Sequence, residues 1–167
     1  MIRTLTIPRA PDFVIGDPAK PYLRRWWVIP RNRFFNIYLH NILADDDDRA
    51  EHDHPWWSLS IILRGGYMET INGICHMRHP GTIRWRRATE HHRLSLFSCR
   101  WRWKGWPWKR TLVFDRVVPC WTLFITGPKV REWGFWCPKG WMHWREFCGV
   151  PEGQEARGDE RGKGCGE

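Results

Sequence analysis

The sequence predicts a single all-β domain closed into a barrel or sandwich. Three observations carry this: roughly nine or ten short β-rich runs, Gly- or Pro-centred turns between them, and no confident helix. A chain of 167 residues suits one domain with a real core. Its 14 tryptophans demand burial or ligand contact, and 27 Lys and Arg against 18 Asp and Glu give a net charge of +9. That charge favours a small anionic ligand or substrate, with nucleic acid as the less favoured partner. A homodimer is compatible with it.

Residues 1–33 carry five prolines and little periodicity, which predicts an extended N-terminal arm over the barrel, anchored by Trp26 and Trp27. The barrel is expected over 34–149. Its first strand, Phe34 to Leu43, alternates, with Phe35, Ile37, Leu39 and Leu43 on one face and Asn36, Tyr38 and His40 on the other, more polar one. After the acidic loop Asp45 to Asp48, the run WSLSIILR ends at Gly65-Gly66, read as a two-residue hairpin loop. Asn72-Gly73 marks the next tight turn, and Pro80-Gly81 leads into TIRWRR. The strand HRLSLF and the runs TLVFDRVV, CWTLFIT and VREWGFW supply the remaining strands. Residues 150–167 are almost free of apolar side chains, so this tail is predicted to be disordered and dispensable.

Several classes are disfavoured. The start lacks a charged-then-apolar leader and nowhere do 18 uncharged apolar residues run together, so a cytoplasmic protein without a membrane span is expected. The six cysteines show no CxxC pair and are read as free thiols. A zinc knuckle from Cys137, Cys148 and His143 is disfavoured by its spacing. No GxxxxGK[ST] or GxGxxG loop is present, which argues against a nucleotide-hydrolysing or dinucleotide fold.

Histidines at i and i+2 on a strand project to one face about 7 Å apart, so His52 and His54 can reach one ion. The surrounding spacings resemble the two motifs of the cupin superfamily. The first reads His-x-His, three or four residues, Glu, six residues, Gly; here His52, His54 and Gly65 match, while Ser58 stands in the Glu position. In the second, Gly81 and His92 match with the right separation, Arg87, Thr89 and Leu96 replace the usual Pro, Gly and Asn, and the spacing selects His92 over His91. The resemblance covers roughly residues 34–136. The stretches YLHNILADDDDRAEHDHPWWSLSIILRGGY and TGPKVREWGFWCP are similar to small cupin-like proteins of phage and bacterial origin.

The resemblance implies a double-stranded β-helix, or jelly-roll, barrel holding one divalent transition metal on His52, His54 and His92. Without the motif's Glu, the set is similar to that of the thiol dioxygenases among cupins. Such a set suits Fe(II), while Zn, Ni, Mn and Cu remain open. A dioxygenase-type reaction is expected ahead of isomerisation. Two alternatives stay open: a metal-independent sugar-nucleotide isomerase or epimerase, pairing His54 or His92 with Tyr67 or Tyr38, and a non-catalytic nucleotide or nucleic-acid binder.

Other residues enter by position. His40 is a candidate pocket base, with Tyr38 and Tyr67 as further catalytic candidates. Ser58, Ser60 and Glu69 are placed around the ligands. Pairing Ile62 with Glu69 across Gly65-Gly66 puts Glu69 towards the far end of the barrel, about 26 Å from His54 at the strand rise, too far to be a ligand itself. In CRWRWKGWPWKR, Arg100, Arg102 and Lys104 alternate with Trp101 and Trp103, as an anion- or nucleic-acid-binding ribbon would, although packing tryptophans explain it equally simply.

Overall fold

The computed structural model describes residues 7–17, 19–46, 50–104, 111–154 and 162–166, with backbone alone for 99–104 and 111–116. It opens with β1 (Phe13–Asp17), β2 (Lys20–Trp27) and β3 (Asn36–Ile42), followed by a two-residue β4 (Glu51–His52). Then come β5 (Ser58–Arg64), β6 (Tyr67–Ile71), β7 (Ile74–Arg78), β8 (Ile83–Arg86) and β9 (Arg93–Leu96). A separate ribbon, β10 (Ser98–Lys104) and β11 (Thr111–Val117), precedes β12 (Cys120–Thr126), β13 (Gly134–Cys137), β14 (Gly140–His143) and the five-residue α1 (Trp144–Cys148). Six strands in the order β1-β2-β3-β12-β5-β8 face two three-stranded sheets, β7-β6-β9 and β14-β13-β4. All pairings are antiparallel, and β12 sits between β3 and β5, far from both in sequence. This is the expected all-β jelly roll.

The arm contributes more than a cover. β1 pairs with β2, and β2 pairs with β3 so that Arg25 lies opposite His40 and Trp27 opposite Tyr38. Trp26 is buried and stacks on Trp121 at 5.5 Å, whereas Trp27 is half-buried.

The inward face of the strands is the polar one. On β3, Tyr38, His40 and Ile42 are buried while Ile37 and Leu39 are partly exposed; on β5, Ser58, Ser60 and Ile62 are buried while Leu63 is 49% exposed. Apolar packing collects at one end, where Leu23, Ile42, Ile62, Tyr67, Leu94, Leu96 and Cys120 form a cluster. A second cluster of Ala50, Phe135, Cys137 and Phe147 lies beneath α1.

Gly65-Gly66 is not the expected hairpin loop. β5 pairs with β12 and β8, and β6 with β7 and β9, so the two glycines turn a corner from one sheet to another. Gly65 has φ +75° and a Cβ there would stand 2.3 Å from the Pro119 carbonyl, which explains why glycine occupies it. The inferred pairing of Ile62 with Glu69 is lost with the hairpin. Asn72-Gly73, both at positive φ, closes the β6–β7 hairpin as expected.

The C-terminal region departs most from expectation. No helix was predicted, yet α1 forms one turn, capped by the His143 ring accepting from the Arg145 amide at 3.2 Å. Cys137 is bonded to Cys165, so the thiols are not all free, and Cys137 is unavailable to a zinc knuckle. Val150 is buried and the Gly164 amide donates to the Phe147 carbonyl, so the described part of the tail is docked rather than disordered. Composition missed this because one covalent bond substitutes for apolar surface. A disulfide persists in oxidising surroundings, which pulls against the cytoplasmic expectation. Among the described residues, no helix is long and apolar enough to cross a membrane.

Candidate metal centre

His52 ends β4 and bridges to His92 just before β9, each amide donating to the other's carbonyl at 2.8 and 2.9 Å. His54 follows two residues later, ahead of Pro55. The three rings lie 4.9–5.2 Å apart by centroid, and their ligand nitrogens all fall within 4.8 Å of one another. His54 Nε2 and His92 Nε2 are 3.0 Å apart. Nitrogens sharing an ion at about 2.1 Å stand roughly 3.0–3.4 Å apart, so this pair already has the spacing a common ion imposes. Asp53, between them, points the other way and is fully buried, accepting from Arg131 at 2.6 Å and the Gly134 amide at 2.8 Å.

Buried partners orient the rings. His92 Nδ1 faces Glu69 Oε1 at 2.9 Å, and a carboxylate accepts, so the proton rests on Nδ1 and Nε2 keeps its lone pair. Glu69 is fully buried and also accepts from Arg78 Nε at 2.7 Å and from Arg86 Nε at 2.7 Å and Nη2. Asp46 lies 3.7 Å from His52 Nδ1 and accepts from the Leu94 amide at 2.6 Å and from the Tyr22 hydroxyl. Burial, with the neighbouring imidazoles, holds His54 well below its ordinary range, and burial outweighs Glu69 to bring His92 down to about 4. Burial acts to raise Glu69, but its bond from His92 and the charge of Arg86 leave it lowered and ionised. His54 and His92 are thus neutral at pH 7, the form that ligates. The donor set fits one divalent ion.

Glu69 therefore lies beside the ligands, not at the far end of the barrel; the false hairpin produced that misplacement. His40 is buried, and its Nε2 accepts from Arg25 Nε at 2.8 Å, so its lone pair is committed to Arg25. Tyr38 stacks beneath the Arg25 guanidinium at 4.7 Å. Tyr67 belongs to the apolar cluster, and burial raises its pKa. Ser60 Oγ accepts from Arg86 at 3.1 Å, whereas the fully buried Ser58 Oγ has no partner among the described residues. His91 sits outside the trio, with Nδ1 2.6 Å from Glu51 and its ring stacked on Trp136. The side chains of Arg100, Trp101, Arg102, Trp103 and Lys104 lie outside the described residues.

Sequence reasoning missed Arg25, Arg86, Asp46 and Phe124. Arg86 could have been found, since TIRWRR alternates and one of its arginines must face inward. Phe124 stacks on His40 at 5.0 Å and lies 6.2 Å from His54, which makes it the wall between them.

This fold and trio define a jelly-roll barrel with a three-histidine centre. Solved structures similar to the chain include a putative mannose-6-phosphate isomerase from Ralstonia eutropha JMP134, at 14% identity over 70% of this chain and 92% of that one, with a TM-score of 0.47. A cupin superfamily protein from Desulfitobacterium hafniense DCB-2 shows 15% identity over 64% and 77%, TM-score 0.44. A double-stranded β-helix protein from Klebsiella pneumoniae shows 15% over 72% and 90%, TM-score 0.48. No protein-family model and no curated protein matches the chain. At such identities the likeness concerns fold, and no activity is transferred from it.

Proposed function

We propose that the chain is a metal-dependent enzyme of the cupin type acting on a small anionic substrate, with a dioxygenase-type oxidation at Fe(II) favoured over isomerisation. The observation that carries the reading is the trio itself: three imidazoles converge within 4.8 Å and, among the described residues, no carboxylate joins the group. A bound Fe(II) would supply open positions for substrate and dioxygen. The chain's own part is to hold three lone pairs in place, through Glu69 behind His92 and Asp46 behind His52. Ser58 stands where the motif has its Glu, so that position supplies a hydroxyl in place of a carboxylate. The isomerase alternative needs a tyrosine acid beside a histidine base, whereas the Tyr67 ring packs in the apolar cluster with its hydroxyl bonded to Arg86, and Tyr38 lies under the Arg25 guanidinium.

The test is metal analysis of protein purified without added ions, followed by dioxygen uptake with a panel of small organic acids. The expected result is close to one iron per chain and uptake that disappears in His54→Ala. Protein that holds iron but never consumes dioxygen would favour isomerisation, and protein that holds no metal would remove the metal-dependent reading.

A further inference from the structure

The connection between β2 and β3 exposes more apolar surface and more charge than a turn requires. The Val28 amide donates to the Ile37 carbonyl at 2.9 Å, and residues 29–36 form the loop beyond that pair. Side-chain bonds brace it. The Asn32 side-chain carbonyl accepts from the Phe34 and Phe35 amides at 2.9 and 3.1 Å, while Asn36 accepts from the Asn32 amide at 3.0 Å and donates to its carbonyl at 2.9 Å. The loop presents Val28, Phe34 and Phe35, which are 54%, 64% and 46% exposed, beside the exposed Arg31 and Arg33. The Arg33 guanidinium lies over the Phe34 ring at 4.9 Å and that of Arg31 over Trp27 at 5.6 Å. Among the described residues no carboxylate pairs with either, and the neighbouring Asp12 is taken by Arg9 and the Trp27 amide. From Pro18 to Ala44 the sequence carries five Lys and Arg and no acid.

Rings held at the surface by a braced backbone offer flat faces for stacking, and guanidiniums layered on rings keep their N–H edges for phosphate oxygens. Unopposed positive charge selects an anionic partner. The arginines stand at the apex of the loop, with Phe34 and Phe35 on its return limb. A bilayer would have to take in the guanidiniums ahead of the rings, so this order favours a partner that brings phosphates and planar rings together. We infer that the β2–β3 loop is a docking site for single-stranded nucleic acid, with bases stacking on Phe34 and Phe35 and phosphates bound by Arg31 and Arg33. The site belongs to a different element from the β10–β11 ribbon and does not depend on the metal-centre reading.

The experiment titrates the full chain, across a salt series, against a labelled oligothymidine of about twelve nucleotides and an abasic strand of equal length and charge. Polyglutamate and vesicles of phosphatidylcholine with phosphatidylserine serve as the other anionic probes. Oligothymidine is expected to bind at least about tenfold more tightly than the abasic strand, as a single stacked base implies. Phe34→Ala should remove most of that preference, and so should Phe34→Leu, the gentler variant, which keeps the apolar bulk and loses only the flat ring. Arg31→Gln combined with Arg33→Gln should lower the log–log salt slope by about 1.4, for two phosphates at about 0.7 each. Lys139→Gln, exposed at the β13–β14 turn, should leave preference and slope unchanged. Equal affinity for the two strands, or a preference and slope that persist in the Phe34 and paired arginine variants, would overturn the inference. Vesicle binding without oligothymidine binding would overturn it in favour of a lipid surface, and polyglutamate bound as tightly as oligothymidine would overturn it in favour of an acidic peptide.

Discussion

His91 and His92 are neighbours in the chain that fall on opposite sides of it, and motif spacing alone separated them. His92 is buried against Glu69 and His54, while His91 pairs with Glu51 outside the trio. Metal content should therefore be lost in His52→Ala, His54→Ala and His92→Ala and kept in His91→Ala, measured by elemental analysis after desalting. Loss in His91→Ala with retention in His92→Ala would show the trio to be misassigned. Glu69 carries a second consequence, since its carboxylate orients His92 and pairs with both Arg78 and Arg86. Glu69→Gln should lower metal affinity about 10–100-fold. It should also cost on the order of 3–5 kcal/mol in urea unfolding, because Arg86 is left buried beside a neutral amide. A variant as stable as the parent would mean that the two arginines find other partners.

At the scale of elements, what was legible followed turn chemistry and strand alternation. Asn72-Gly73 specifies its hairpin through backbone conformation alone, and the His-x-His pair needs only the two-residue period of a strand. Gly65-Gly66 misled because glycine permits a corner as readily as a hairpin, and only the Pro119 carbonyl pressed against Gly65 distinguishes them. The arm's pairing was hidden because its prolines lie outside or at the start of the strands. The chain end was hidden because nothing local joins Cys165 to Cys137. A link spanning 28 residues restricts the unfolded chain by about 3–4 kcal/mol in the loop-entropy account. Cys165→Ser should thus lower stability by roughly that amount, and reductant should destabilise the parent but not the variant. An alkylation count that finds Cys137 and Cys165 both reactive in untreated protein would contradict the bond.

For the whole molecule, the barrel reverses the usual relation between hydrophobic pattern and burial. Tyr38, His40, Ser58, Ser60, Arg86 and Glu69 face inward, so the alternation showed where strands lie but not that their polar side holds the site. Such an interior makes stability depend on pH. His92 has a folded pKa of about 4, lowered chiefly by burial, against about 6.5 for an unfolded histidine, and His54 is lowered in the same direction. Between these values the unfolded chain binds more protons than the folded one, so stability falls as pH drops. Above pH 6.5 the contribution is fully present. By pH 4 the His92 part alone should have cost on the order of 3 kcal/mol, with His54 adding to the loss. Urea unfolding of the metal-free protein at pH 7.5, 6, 5 and 4 should show this decline, with His92→Ala flatter than the parent over the same range. A bound ion competes with protons for the same lone pairs, so the metal-loaded protein should begin its decline at lower pH. Parent stability that stays level from pH 6.5 to 4 without metal would mean that these histidines are solvated, and the burial of His92 would not stand.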